Sequence, residues 1–202
     1  MSYPAWTVTL ILVFPLAAAS SEKDIRDFDP LFAGHEVLDV EIEGPFAFLV
    51  AERPDEEEVP AKFRLRTADI ETVEFDVVVR TRGKSRRNTK VCPFPPLRLN
   101  FRKAQTSGTL FDGQDKIKLV THCRSDSRTY EQALLSEYLA YRILNILTDS
   151  SFRARLLRIT YLYTDQQQQV ATYGILIEHA DRLGKRLHAK PLAVEKVDVG
   201  DL

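Results

Sequence analysis

Leu97-Arg98-Leu99-Asn100-Phe101 and Lys116-Ile117-Lys118-Leu119-Val120 alternate apolar with polar residues, the period-2 pattern of a strand buried on one face. This alternation constrains the fold more than any other feature, because it recurs along the chain. Val37-Leu38-Asp39-Val40-Glu41-Ile42 alternates too, and beyond Pro45 the run Phe46-Ala47-Phe48-Leu49-Val50 continues the strand character. Asp55-Glu56-Glu57-Glu58 marks a solvated turn. Phe63-Arg64-Leu65-Arg66 and the segment from Val73 to Val79 read as a hairpin turned around Asp69-Ile70-Glu71. A longer hairpin sets Leu156 to Tyr163 against Val170 to Ile177, turned by Thr164-Asp165 and the glutamines from Gln166 to Gln169.

One segment carries the helical period instead. Thr129 and Gln132 form a T-x-x-Q capping box, and Leu134, Leu135, Tyr138, Leu139, Tyr141, Ile143 and Ile146 cover more than one stripe. Such a helix is expected to lie between a sheet and a second layer and to end near Asp149-Ser150-Ser151. Together these segments predict a single α+β domain over 37–190, an antiparallel sheet with one main packed helix. Residues 21–36 read as a linker and 191–202 as a tail.

Met1 to Ser21 contains no charged side chain, and the apolar run from Trp6 to Leu16 passes into Ala17-Ala18-Ala19-Ser20-Ser21. That is the grammar of a signal peptide over 1–20, with cleavage after Ala19 or Ser20. The run is short for a membrane span, which needs roughly 20 apolar residues. Export to a periplasmic, extracellular or envelope location is the expectation. In an oxidising compartment the two cysteines, Cys92 and Cys123, are expected to form a structural disulfide. Neither sits in a CxxC or Cys/His cluster, which argues against zinc.

The 44% apolar content suffices for a core, while 28 Lys+Arg against 29 Asp+Glu leave a formal charge of −1. That near-neutral balance removes the global basicity of a dedicated nucleic-acid binder, so no nucleic-acid partner is expected and any anionic ligand must be argued locally. Arg80, Arg82, Lys84, Arg86, Arg87 and Lys90 supply a local candidate, a dense basic loop. It reads either as a solvated turn or as a contact for phosphate, anionic lipid or an acidic envelope polymer. Gly83-Lys84-Ser85 imitates the end of a Walker A motif, but Val78 stands where its first glycine belongs. GxSxG, HExxH and GxGxxG are absent, and His35, His122, His179 and His188 show no ligand spacing.

The order of five segments resembles the spore-coat-protein-H (CotH) kinase family. They are Arg82-Gly83-Lys84-Ser85, the strand Pro96 to Phe101, the strand Lys116 to Val120, Leu135-Ser136-Glu137-Tyr138-Leu139-Ala140-Tyr141, and the hairpin closing in Ile177-Glu178-His179-Ala180-Asp181. They match the family's RGNS-like turn, basic strand, LREKLAY-like helix and terminal hairpin between Phe75 and Leu183. The resemblance implies the N-terminal lobe and hinge of an atypical kinase-like fold that binds ATP with Mg²⁺ or Mn²⁺.

Carried over position by position, the resemblance makes Arg98 the basic phosphate-holding residue of the strand, in place of the family's lysine, with Lys118 as the second candidate. Glu137 would orient one of them by an ion pair. Arg82 and Lys84 would lie on a phosphate-contacting loop, with Lys84 replacing an asparagine, and Glu178 to Asp181 would form the hinge. Each position also has a structural reading: Arg98 as a solvated strand residue, Glu137 as a partner for any nearby arginine, Glu178 as a polar exit from a hairpin. The family's catalytic and metal-binding aspartates lie downstream of the hinge, and Asp198 and Asp201 resemble neither motif. The expectation is therefore a kinase-like chain that is catalytically incomplete. The alternative expectation is a non-catalytic domain that docks an anionic envelope partner through Arg80 to Lys90.

Overall fold

The computed structural model describes residues 29–66 and 72–191. The signal peptide reading (1–20), the turn at Asp69-Ile70-Glu71 and the tail aspartates Asp198 and Asp201 lie outside the described residues. The described elements are α1 (Pro30–Ala33), β1 (Leu38–Gly44), α2 (Phe46–Glu52), β2 (Val59–Arg66), β3 (Thr72–Thr81), β4 (Leu97–Phe101), α3 (Lys103–Thr106), β5 (Lys116–Val120), α4 (Arg128–Leu147), β6 (Ala154–Tyr163), β7 (Gln169–Ile177) and α5 (Ala180–Arg186).

The strands close into a barrel in the order β1-β2-β3-β4-β5-β7-β6 and back to β1. Neighbours pair antiparallel except at the seam, where β1 runs parallel to β6 from Leu38↔Leu157 to Gly44↔Tyr163. This corrects the expectation of an α+β, kinase-lobe-like domain with an antiparallel sheet and one main packed helix: the fold is a closed seven-stranded mixed barrel with few helices. The physical reason lies in the outermost strands. An open sheet leaves two rows of unpaired backbone N–H and C=O groups, and pairing β1 with β6 satisfies both rows at once.

Alternation then decides what the barrel encloses. Val40 and Ile42 from β1, Phe63 from β2, Phe75, Val77 and Val79 from β3, Leu97, Leu99 and Phe101 from β4, Ile117 and Leu119 from β5, and Leu157, Ile159 and Tyr161 from β6 join one buried cluster. Both ends are plugged. At one end Phe46 of α2 meets Tyr161 with ring centroids 5.0 Å apart, and at the other Phe111 meets Phe63, Phe75 and Phe101 at 5.1, 5.3 and 5.0 Å. The interior is a packed core rather than a channel.

Three local expectations are also corrected. Phe46 to Val50 is helical, because the carboxylate of Asp165, from the β6–β7 turn, accepts hydrogen bonds from the backbone of Ala47 (3.2 Å) and Phe48 (2.8 Å) and caps the first turn. The linker reading of 21–36 gives way at α1, whose Leu31 and Phe32 are buried in the core. Helix α4 starts at Arg128 with Ser127 at its N-cap, so Thr129 is its second residue and not a cap.

Helix α4 covers the outward faces of β6 and β7. Leu134 packs there with Val120, Ala154, Leu156, Ile175 and Ile177, joined by Leu135, Tyr138, Tyr141, Phe152 and Tyr173. Its opposite side is uncovered among the described residues: Leu139, Ile143, Leu144, Ile146 and Leu147 are all exposed.

Candidate functional site

The same alternation that fills the barrel sends the intervening residues outward. In β4 the buried residues are Leu97, Leu99 and Phe101, which puts Arg98 on the outer wall; in β5 they are Ile117 and Leu119, which puts Lys118 there. Arg98 and Lys118 are register partners across the β4–β5 ladder. Arg82 follows β3 directly, and its backbone N–H donates to the Pro96 carbonyl at 2.9 Å, which ties the start of the basic loop to the start of β4. Gly83 then turns the chain with φ +93° and open space around it.

Helix α4 forms the facing wall. Between them lies a cleft of about 330 Å³ lined by Arg82, Gly83, Lys84, Ser85, Arg86, Pro96, Lys118, Val120, Glu137, Tyr141, Phe152 and Ile177. Arg98 flanks it closely enough for its charge to act on both Arg82 and Lys118. Five of the residues singled out in the sequence, Arg82, Lys84, Arg98, Lys118 and Glu137, thus share one region of the surface.

The electrostatics of the region are one-sided. Burial, then the like charges of Arg98 and Arg86, pull the Arg82 pKa down. Burial, then Arg82 and Arg98, do the same to Lys118, whose ammonium lies 4.8 Å from the centre of the Phe152 ring. Arg82, Arg98 and Lys118 form no ion pair with any described residue. The Nε of Arg98 is shielded from solvent and has no hydrogen-bond partner among the described residues. Burial, then the Glu137 charge, raises the Tyr141 hydroxyl above its ordinary value.

Glu137 contacts neither Arg98 nor Lys118 as an ion pair. Its Oε2 lies 3.7 Å from Nη1 of Arg86, whose Nη2 donates to the Thr121 carbonyl at 3.3 Å. Glu178 lies elsewhere. It is 2% exposed and accepts from the Arg153 backbone N–H at 3.1 Å and from Arg186 Nη2 at 3.0 Å, fastening α5 to the start of β6. Asp181 is exposed in the first turn of α5, 3.3 Å from His179 Nδ1.

The rest of the basic loop is held from within. Arg87 pairs with Asp55 at 2.6 Å, and Arg80 lies 3.8 Å from Asp55 and 3.9 Å from Glu58. Arg53 donates to the carbonyls of Arg87 and Cys92, both at 2.9 Å, and of Pro93. Cys92 and Cys123 stand at disulfide distance with their Cα atoms 5.0 Å apart, stapling the end of the loop to the segment after β5. Among the described residues no group of three or more His, Cys, Asp or Glu gathers to hold a metal, and Glu137 is the one carboxylate lining the cleft. The donor set suits an anion and offers a divalent cation a single carboxylate, beside the neutral hydroxyls of Ser85 and Tyr141.

Of the aromatic part of the lining, sequence reasoning gave Tyr141 only a packing role on the helix and gave Phe152 none. Tyr141 was within reach of a helical-face argument, falling one turn after Glu137. Phe152 follows a turn and carries no periodic signal. No described helix is long and apolar enough to cross a membrane. Comparison of the chain with family models, with curated proteins and with solved structures finds no match.

Proposed function

We propose that this chain binds a phosphorylated small molecule in the cleft between α4 and the β4–β5 wall, with Arg82, Arg98 and Lys118 holding the phosphates. The observation that carries this reading is the cation cluster itself. Three half-buried basic side chains, converging with no ion pair of their own among the described residues, repel one another and gain most from a shared multivalent anion. The Arg98 guanidinium, with one donor unused, suits bidentate capture of a phosphate. The resemblance to CotH kinases suggests a nucleoside triphosphate as the particular ligand, and the Phe152 and Tyr141 rings give a base or another flat group an apolar wall. A divalent ion would travel on the ligand's own phosphates. The reading rests on this cluster and not on a kinase-lobe fold.

Docking of an anionic polymer by the whole loop from Arg80 to Lys90 is the weaker alternative, because Arg80, Arg86 and Arg87 already face Asp55, Glu58 or Glu137. A thermal-shift titration with ATP and Mg²⁺, and separately with inorganic triphosphate, tests the proposal. Wild type should show saturable stabilisation, and Arg98→Ala should weaken binding by about tenfold to a hundredfold, the usual loss for a charged hydrogen-bonding partner. Lys90→Ala, outside the cleft, should change it little. Stabilisation that ignores Arg98→Ala but fails in Lys90→Ala would favour the loop. No stabilisation of the folded protein by either ligand would end the phosphate reading.

A further inference from the structure

The cleft has one acidic side chain on its wall among the described residues, and its placement is informative. A glutamate that positions a phosphate-binding cation contacts that cation. Glu137 forms no ion pair with Arg98 or Lys118; it pairs with Arg86, at 3.7 Å, on the loop. Both partners are more than a third exposed, at 38% and 37%, so solvent screens the pair and its separation costs little. Among the described residues Arg86 is otherwise anchored only by the 3.3 Å hydrogen bond to the Thr121 carbonyl. The field of Glu137 reaches further than this contact, acting on both Arg82 and Tyr141.

We propose that Glu137 is the internal counter-ion of the cleft: its carboxylate holds Arg86 while no ligand is bound, and an incoming phosphate displaces it. The inference rests on the phosphate reading above and adds a sign to it. A phosphate and a carboxylate carry like charge, so they compete for Arg86 rather than share it. The cations Arg82, Lys84, Arg86 and Lys118 of the lining, with Arg98 beside them, exceed the single carboxylate, so displacing Glu137 leaves the cluster better neutralised by a multivalent ligand than by the protein. Glu137 therefore sets the affinity threshold of the site. It admits multiply charged phosphates, which outcompete one carboxylate, and disfavours singly charged anions.

The test is calorimetric titration of inorganic triphosphate into wild type, Glu137→Gln, Arg86→Gln and the double variant, at low and moderate salt. Glu137→Gln should bind about three- to tenfold tighter than wild type, the scale expected for removing one screened like charge near the ligand. In the Arg86→Gln background the gain should shrink to less than about twofold, because the contact being competed for is gone. The unliganded melting curves of all four proteins establish that each is folded, and Glu137→Ala should reproduce the sign seen with Gln. If wild type binds and Glu137→Gln binds equally or more weakly, the counter-ion role is overturned while the phosphate site stands. If the gain is as large without Arg86 as with it, displacement from Arg86 is overturned. If folded wild type shows no saturable binding, the phosphate reading falls and takes this inference with it.

Discussion

His122 shows how one residue ties stability to pH. It is 4% exposed, its ring lies 4.5 Å from Phe94 and 5.7 Å from Tyr161, and burial pushes its pKa down to about 4. The imidazole is thus neutral in the folded chain at pH values where the unfolded chain, with an ordinary pKa near 6.5, takes up a proton. Its contribution is fully present above pH 6.5 and is lost as the pH falls towards 4, amounting to about 3 kcal/mol across that window. Denaturant melts at pH 7.5, 6, 5 and 4 should show this loss, and His122→Phe, which keeps an aromatic ring in the cluster, should flatten that part of the profile. An unchanged profile in the variant would assign the acid sensitivity to other groups. At this scale the sequence was partly legible. The outward placement of Arg98 and Lys118 followed from alternation alone, whereas the Arg86–Glu137 contact joins residues far apart in the chain and has no local signature.

Among the elements, the basic loop between β3 and β4 has no regular structure of its own and depends on its fastenings. The Cys92–Cys123 link closes a separation of 31 residues, and the Arg53 fork holds the same stretch through three carbonyls. A link of that span restricts the unfolded chain by about 3 to 4 kcal/mol in the loop-entropy account. Reduction, or the pair Cys92→Ser and Cys123→Ser, should lower Tm by about 10 °C in a chain of this size, read by scanning calorimetry with and without reductant. A shift of less than a degree would mean that the Arg53 hydrogen bonds alone hold the loop. The strands β4 and β5 were legible to the residue, since Leu97–Phe101 and Lys116–Val120 carry the period themselves. Helix α2 was not. Its run from Phe46 to Val50 is apolar throughout, which periodicity cannot assign, and its cap comes from Asp165 more than a hundred positions away. The many-sided apolar pattern of α4 was read as two covering layers, and the barrel supplies one of them.

For the whole molecule the decisive event is closure. Asp39 and Arg158, register partners across the β1–β6 seam, are 119 positions apart, so this pairing carries a large chain-ordering cost before any contact repays it. Folding should accordingly take milliseconds to seconds, with the seam forming late. Val40→Ala, in the seam strand β1, should mainly speed unfolding, while Val77→Ala, in β3 between β2 and β4, should mainly slow refolding. Stopped-flow chevrons on the two variants decide it. Equal effects on both limbs would mean that the seam and the β2–β3–β4 meander form together.

The sequence by itself determined where most strands lie and which side chains each turns inward or outward, because a period of two is written locally and survives any arrangement of neighbours. It also put Arg98 and Lys118 on the polar face of their strands. Only the tertiary structure decided that the sheet closes, that its interior is filled by Phe46, Phe63, Phe75, Phe101, Phe111 and Tyr161, and that Glu137 faces Arg86 instead of Arg98. The physical reason is the same in each case. Parallel pairing at the seam, the plugging of the barrel ends and the choice of counter-ion are contacts between segments distant in the chain, and their energies depend on what else is already packed around them.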